Sequence, residues 1–396
     1  MGNQGTNRQM IQRAPLAIYI LSVLIAGAAP VWAGTNDILI GLDQKVTYGP
    51  DGTTNGPPGK DEVLVMDVAT PGKPKIRARL NLSNSLLGPP TNLQITPDGK
   101  LGLVASSVTH TPDAVGWKVV PDDRLFVIDL GAEPSLIDTV QVGKQPSGLA
   151  IARGGRMALV ANRAGKSVTV LSIDAGKVAV TGEVPMGQEA AAVAIAPDGK
   201  RAFVCLNLAN KVAVLTIDGA KVAYDKTMDI PVAHNPYNVD VAPNGKLLIA
   251  STTGAGTNNV DPLVLIDPTG AHPHVIDMVA PGTGPEAFAI SPDGKWVAAA
   301  LLQGSGAKQN DWFKTKTGEL ALLGLDASGD LSVASRFKAG GYPDSLAFSP
   351  KSDYVYVGNY FDSELQIFRV IGGKLTPGGP NLKLGGQPAS MRAVAR

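Results

Sequence analysis

The chain has 396 residues, 44% of them apolar and 5% aromatic, and its 46 Gly and 30 Pro are far more punctuation than a helical protein tolerates. With 35 basic against 34 acidic residues it lacks the one-sided charge of a nucleic-acid or anionic-membrane binder. Its one cysteine, Cys205, admits no internal disulfide, and the apolar run around it marks it as a small buried hydrophobe.

Residues 1–33 have the form of a secretory signal. Arg8 and Arg13 supply a basic start, residues 16–29 an apolar stretch too short for a bilayer span, and Val31-Trp32-Ala33 a small-x-small cleavage site. The expectation is a periplasmic or secreted protein, residues 34–396, with no membrane span once the signal is removed.

From there a phrase returns down the chain: Pro-x-x-apolar-x-apolar-x-Pro-Asp-Gly-Lys. It stands at Pro90 to Lys100, Pro146 to Arg156, Ala190 to Lys200, Pro236 to Lys246, Pro285 to Lys295 and Pro343 to Asp353, and its first half recurs at Pro388 to Val394. The alternating apolar positions predict a half-buried strand, and Pro-Asp-Gly predicts a hairpin turn, with Pro presetting φ and Gly taking the positive φ. Second, third and fourth strands follow in each unit of about 45 residues. Such a sheet cannot bury both faces alone and must stack on copies of itself.

The two ends settle the count. Ile38 to Leu42, Val63 to Val68 and Ile76 to Leu82 read as second, third and fourth strands with no first, and Pro388 to Ala395 is a first strand with no others. Joined, they make one blade, so the expectation is an all-β, seven-bladed β-propeller of four antiparallel strands per blade, a single domain closed by N-terminal strands pairing with the C-terminal strand. Leu159-Val160-Ala161-Asn162 with Ser167-Val168-Thr169-Val170, and Val355-Tyr356-Val357-Gly358-Asn359, resemble the repeat of the YVTN-type propellers of exported bacterial and archaeal proteins. That resemblance covers nearly all of residues 34–396 and speaks for fold. The nearest enzymes it suggests are the lactonase-type propellers, phosphogluconolactonase and muconate-cyclising enzymes.

Four connections between second and third strands are much longer than a turn requires: Asp43 to Glu62, Ser106 to Arg124, Ser251 to Pro262 and Leu302 to Glu319. All fall on one face. They carry Trp117 and Trp312, aromatic side chains suited to a ligand platform or to pinning their own loops. The residues leading into the first strands form a second polar set on this face, with His234, Tyr237, Asn238, Glu286, Asp344, Asn92 and Arg392. An imidazole and two carboxylates from successive blades, His234, Glu286 and Asp344, suit general acid and base work; lining a water-filled channel is the plainer reading. The resemblance to lactonases implies His and several Arg on the inner strands, whereas here Glu286 and Asp344 stand where arginines would bind an anionic acid.

No complete metal or cofactor signature is present. His272-Pro-His274 lacks a third ligand, and the Gly254 and Gly304 tracts open no helix. Two readings follow: a monomeric exported scaffold binding a protein, peptide or small ligand on the long-loop face without a cofactor, or a lactone or ester hydrolase with its site at the mouth of the central channel.

Overall fold

The computed structural model describes residues 1–2, 36–49, 52–326 and 329–396. The signal-peptide expectation therefore lies outside the described residues. The described residues from 36 on belong to one compact unit; its blades are seven antiparallel sheets, each reading inner to outer in chain order except the first, and a separate two-stranded sheet accompanies them.

Blade 1 joins the two ends of the chain. Its inner strand is Gln387–Arg392, paired antiparallel with Asp37–Asp43, which pairs in turn with Glu62–Asp67 and then Lys75–Leu80. The register sets Leu39 opposite Arg392 and Ile40 opposite Met391. Beyond the strand, the Ala395 N–H donates to the Ile95 carbonyl at 2.8 Å, fastening the tail to blade 2. Blades 2 to 7 begin at Leu93, Pro146, Ala190, Pro236, Ala287 and Pro343.

The core lies between blades, because successive strand residues point to opposite faces. In Asp37–Asp43, Ile38, Ile40 and Leu42 pack toward blade 7 against Tyr356, Leu365 and Ile367, while Leu39 packs toward blade 2 against Leu93, Ile95 and Phe126. All of those strand residues are fully buried. Burying each such side chain is worth about 1.5–3 kcal/mol, so the ring holds without a disulfide. Cys205 is buried in the blade 4–blade 5 layer, and burial pushes its thiol well above the usual range, as expected of an inert packing residue.

The inner strands of blades 1, 3, 4, 5 and 7 share one irregularity: the register shifts immediately after the leading position. Such a bulge re-aims side chains. Counting from the leading Pro or Ala, the next residue and the one three further on both face the channel, giving a ring at each end. At the long-loop end the ring is Thr91, Ser147, Ala191, Tyr237, Glu286, Asp344 and Ala389. At the turn end it is Gln94, Ala150, Ala194, Asp240, Ala289, Ala347 and Arg392, all seven around one cavity.

Two of the long connections are built differently from irregular loops. Leu101–Asp113 and Gly116–Asp129 pair over their whole length, so Ser106 to Arg124 is a hairpin rising from blade 2, favoured by its β-branched residues and a two-residue turn at Ala114 and Val115. Between Asp43 and Glu62, Val46–Gly49 pairs with Gly52–Asn55. That small hairpin is pinned by Lys45, fully buried between Asp43 (3.3 Å) and Asp61 (2.7 Å) and donating to the Asn84 carbonyl. The buried His110 adds a bond from its Nδ1 to the Gly56 carbonyl at 2.8 Å.

Candidate functional site

Glu286 and Asp344 each follow the leading proline of an inner strand, in adjacent blades 6 and 7, and so meet at the long-loop mouth of the channel. Asp344 is 1% exposed, and neither of its oxygens has a conventional donor. Its partner is the Glu286 carboxyl, at hydrogen-bond range. Two carboxyl groups in such contact need a proton between them. Burial pushes Glu286 up to about 7, with Asp261 adding to the rise and Asp344 and Arg163 opposing it. Burial and the Glu286 charge hold Asp344 well above the usual carboxylate range.

Around this pair stand one cation and several phenols. Arg163, from the turn after Asn162 in blade 3, is 19% exposed, sits 5.9 Å over the Tyr237 ring and 3.7 Å from Glu189. Its Nε has no partner. Tyr237 occupies the ring position of Glu286 and Asp344 in blade 5, and burial raises its phenol far above the ordinary value. Tyr342 precedes Pro343 in a left-handed conformation, φ 53°, costly for an aromatic residue. The Ser305 hydroxyl holds its N–H at 3.1 Å, and its carbonyl accepts from Tyr360 N–H at 3.0 Å. Tyr48, carried in by the small hairpin, packs on Tyr342, Tyr360 and Phe361 at centroid distances of 5.5, 5.9 and 5.0 Å.

Beside the carboxyl pair is a cavity of about 190 Å³ lined by Asp261, Thr283, Glu286, Phe313 and Tyr342. Its walls depend on the glycine tracts. A Cβ at Gly306 would stand 2.4 Å from the Tyr342 ring, and one at Gly254 2.1 Å from an Asp261 oxygen. Those tracts serve close packing at the mouth. A cavity that Glu286, Asp261 and Tyr342 line, with Asp344, Arg163 and Tyr237 beside it and a carboxyl pair of raised proton affinity, has the composition of an acid–base site.

Solved structures share this architecture. The chain is similar to a periplasmic gluconolactonase of Pseudomonas aeruginosa, with TM-score 0.66 and 20% identity over 91% of this chain and 99% of that one. It is also similar to a candidate 6-phosphogluconolactonase of Bacteroides fragilis, with TM-score 0.67 and 17% identity over 90% and 96%. A protein of unknown function from Desulfotomaculum acetoxidans matches at TM-score 0.65 and 14% identity over 91% and 99%. At these identities the likeness is one of fold, the seven-bladed β-propeller. No family model and no curated sequence matches the chain.

The residues singled out from sequence divide clearly. Glu286, Asp344 and Tyr237 come together. His234 is exposed on the rim, where its charge acts on Asp261 and not on the carboxyl pair. Asn92 is buried and bonds the Asn84 side chain (2.6 Å) and the Ala105 carbonyl (2.8 Å), a structural post between blades. Asn238 is buried and accepts from the following N–H, of Val239, at 2.8 Å. Trp117 is half-buried near the tip of the blade 2 hairpin, while Trp312 is 89% exposed against Phe313. Arg392 lies at the other end of the channel, because it is the last residue of its strand while Glu286 and Asp344 stand at the start of theirs.

Sequence reading passed over Arg163, Tyr342 and Tyr360. Each sits at a fixed place in the repeat: Tyr342 immediately before the leading proline, Arg163 and Tyr360 immediately after the recurring Asn162 and Asn359. Comparing what fills those places blade by blade would have found them.

Proposed function

We propose that the long-loop mouth is the active site of an exported lactone hydrolase. The observation that carries this reading is the proton-sharing pair Glu286–Asp344 beside a cavity with Arg163, Tyr237 and Tyr342 at hand. Glu286 as carboxylate takes a proton from water as it attacks the ring carbonyl; Arg163 and the phenols stabilise the oxyanion; Glu286 then returns the proton to the departing ring oxygen, leaving the hydroxy acid. Asp344 keeps its own proton throughout and is a positioning residue, holding Glu286 and setting its proton affinity. The gluconolactonase fold likeness is consistent with this chemistry. Among the described residues no helix is long and apolar enough to cross a membrane.

The decisive experiment is turnover of a panel of five- and six-membered lactones. Hydrolysis that falls at least about 100-fold in Glu286→Gln while surviving in His234→Ala supports the site as drawn. Wild-type protein inert on the whole panel, with a partner protein or peptide bound by the same loops, would instead return the molecule to the non-catalytic scaffold reading.

A further inference from the structure

The turn end of the channel has its own composition. Four of its seven ring positions are alanine, Ala150, Ala194, Ala289 and Ala347, which leaves the cavity there open at about 130 Å³. The other three are Gln94, Asp240 and Arg392. Arg392 belongs to blade 1 and Asp240 to blade 5, so they face each other across the ring. No ion pair joins them within 4 Å, although each lies in the other's field: the Arg392 charge partly offsets the rise that burial imposes on Asp240.

Both groups have bonding capacity left over. Nη1 of Arg392 donates to the Leu149 carbonyl at 2.9 Å, which steadies the guanidinium from blade 3 and leaves its remaining donors toward the cavity. Gln94 accepts from Ile151 N–H at 2.8 Å, leaving its amide N–H groups unspent. Asp240 accepts from Val241 N–H at 3.0 Å. Ile151, Ile195, Ile290 and Phe348 add apolar wall, and a second guanidinium, Arg396, lines the rim with its Nη1 held by the Pro350 carbonyl at 3.2 Å. A half-buried arginine and a half-buried aspartate that have not collapsed onto each other leave opposite charges on facing walls of one cavity, open to a ligand that carries both.

We propose that this end of the channel is a second binding site, for a small zwitterion of the α-amino acid class, its carboxylate on the Arg392 fork and Gln94 amide, its ammonium toward Asp240. Arg presents the planar fork that matches a carboxylate, and Asp240 supplies the acceptor an ammonium requires. The cavity has room for about four waters, so the ligand is of alanine-to-valine size, its side chain against the isoleucines. The site shares no residue with the carboxyl pair at the other mouth and stands whether or not that mouth hydrolyses lactones.

The test is calorimetric titration of the full protein at pH 8 with alanine and valine, and with the matched acids and amines that lack one charged group: propionate, isovalerate, ethylamine and isobutylamine. Expected is binding of at least one amino acid, with its acid and amine analogues at least 10-fold weaker, loss of binding in Arg392→Met, and unchanged binding in Glu286→Gln. Should Arg392→Met fail to fold, Asp240→Asn decides: it must bring the amino acid down to the affinity of the matched acid. No heat with either amino acid, an acid binding as tightly as its amino acid, binding that survives in Arg392→Met, or binding in Asp240→Asn that stays tighter than that of the matched acid would overturn the proposal.

Discussion

The two mouths of the channel are made from the same seven strands, three residues apart, and differ in almost everything that matters chemically. At the long-loop end the titratable residues fall in consecutive blades, Tyr237, Glu286 and Asp344, so two acids are forced together and must share a proton. At the turn end Asp240 and Arg392 are set across the ring and never touch. Repetition supplies the positions; placement around the ring decides whether two charged groups couple or remain available. The long-loop end also has connections that bring aromatic rings over the mouth, whereas the turn end has only the short Pro-Asp-Gly hairpins.

Blade 1 is common to both ends, so removing its inner strand is the harshest test. A stop codon in place of Gln387 deletes Met391, 1% exposed, along with the ladder to Asp37–Asp43 and the bond from Ala395 to Ile95. Met391 alone is worth roughly 1.5–3 kcal/mol of a typical total of about 5–15. The truncated chain is expected to aggregate or to melt far below the full one; a monomer melting within about 2 °C would break the account of closure.

Next in size is catalysis at the long-loop end. If Glu286 is the base, the rate rises with pH through about 7, as its carboxyl loses the proton that burial makes it keep. The neighbours tune this midpoint in known directions. Asp261→Asn removes a negative charge that favours the protonated form and should move it down; Arg163→Gln removes an opposing positive charge and should move it up. A midpoint unmoved by both would mean that another group governs the rate.

A smaller effect, opposite in sign, concerns stability. The folded state holds the Glu286 proton up to about 7, against about 4.5 for an ordinary glutamate. Between those values the folded protein binds more protons than the unfolded, so stability falls as pH rises, and the full penalty is present above 7. Glu286→Gln should therefore raise Tm by about 1–3 °C at pH 8, a gain that disappears near pH 4. Scanning calorimetry at both pH values reads this directly. Smallest of all is Trp312→Ala: an 89% exposed ring has little to lose, and both stability, within about 0.5 kcal/mol, and lactone turnover should stay as they were.

Fold was legible because a propeller writes itself into sequence seven times. The recurring proline, the period-2 strand and the Pro-Asp-Gly turn are local, and the missing first strand at one end matched the surplus one at the other. The blade 2 hairpin was hidden because its two-residue turn, Ala114-Val115, lacks the usual Gly or Asn. Of the site, Glu286 and Asp344 could be found since the repeat aligns them, and ring geometry follows from alignment. Arg392 was misplaced for a related reason: a strand has two ends, and polarity alone does not say which one a residue occupies. Tyr48, Tyr342 and Tyr360 meet only because a hairpin buried on Lys45 leans toward blade 7, a contact about 300 residues apart in sequence that no periodicity encodes.

Closure by a terminal strand also has a kinetic side. The pairing of Leu39 with Arg392 closes a loop of roughly 350 residues, whose entropy cost is about 5 kcal/mol and grows only slowly with length. The burden falls on rate more than on final stability, since contacts this distant form late. Until they do, the strand Asp37–Asp43 presents an unpaired edge carrying Ile38, Leu39, Ile40 and Leu42. A chain still folding carries that edge until the ring closes, which makes the first blade the segment where holding chaperones and proteases would compete with Gln387–Arg392 to pair.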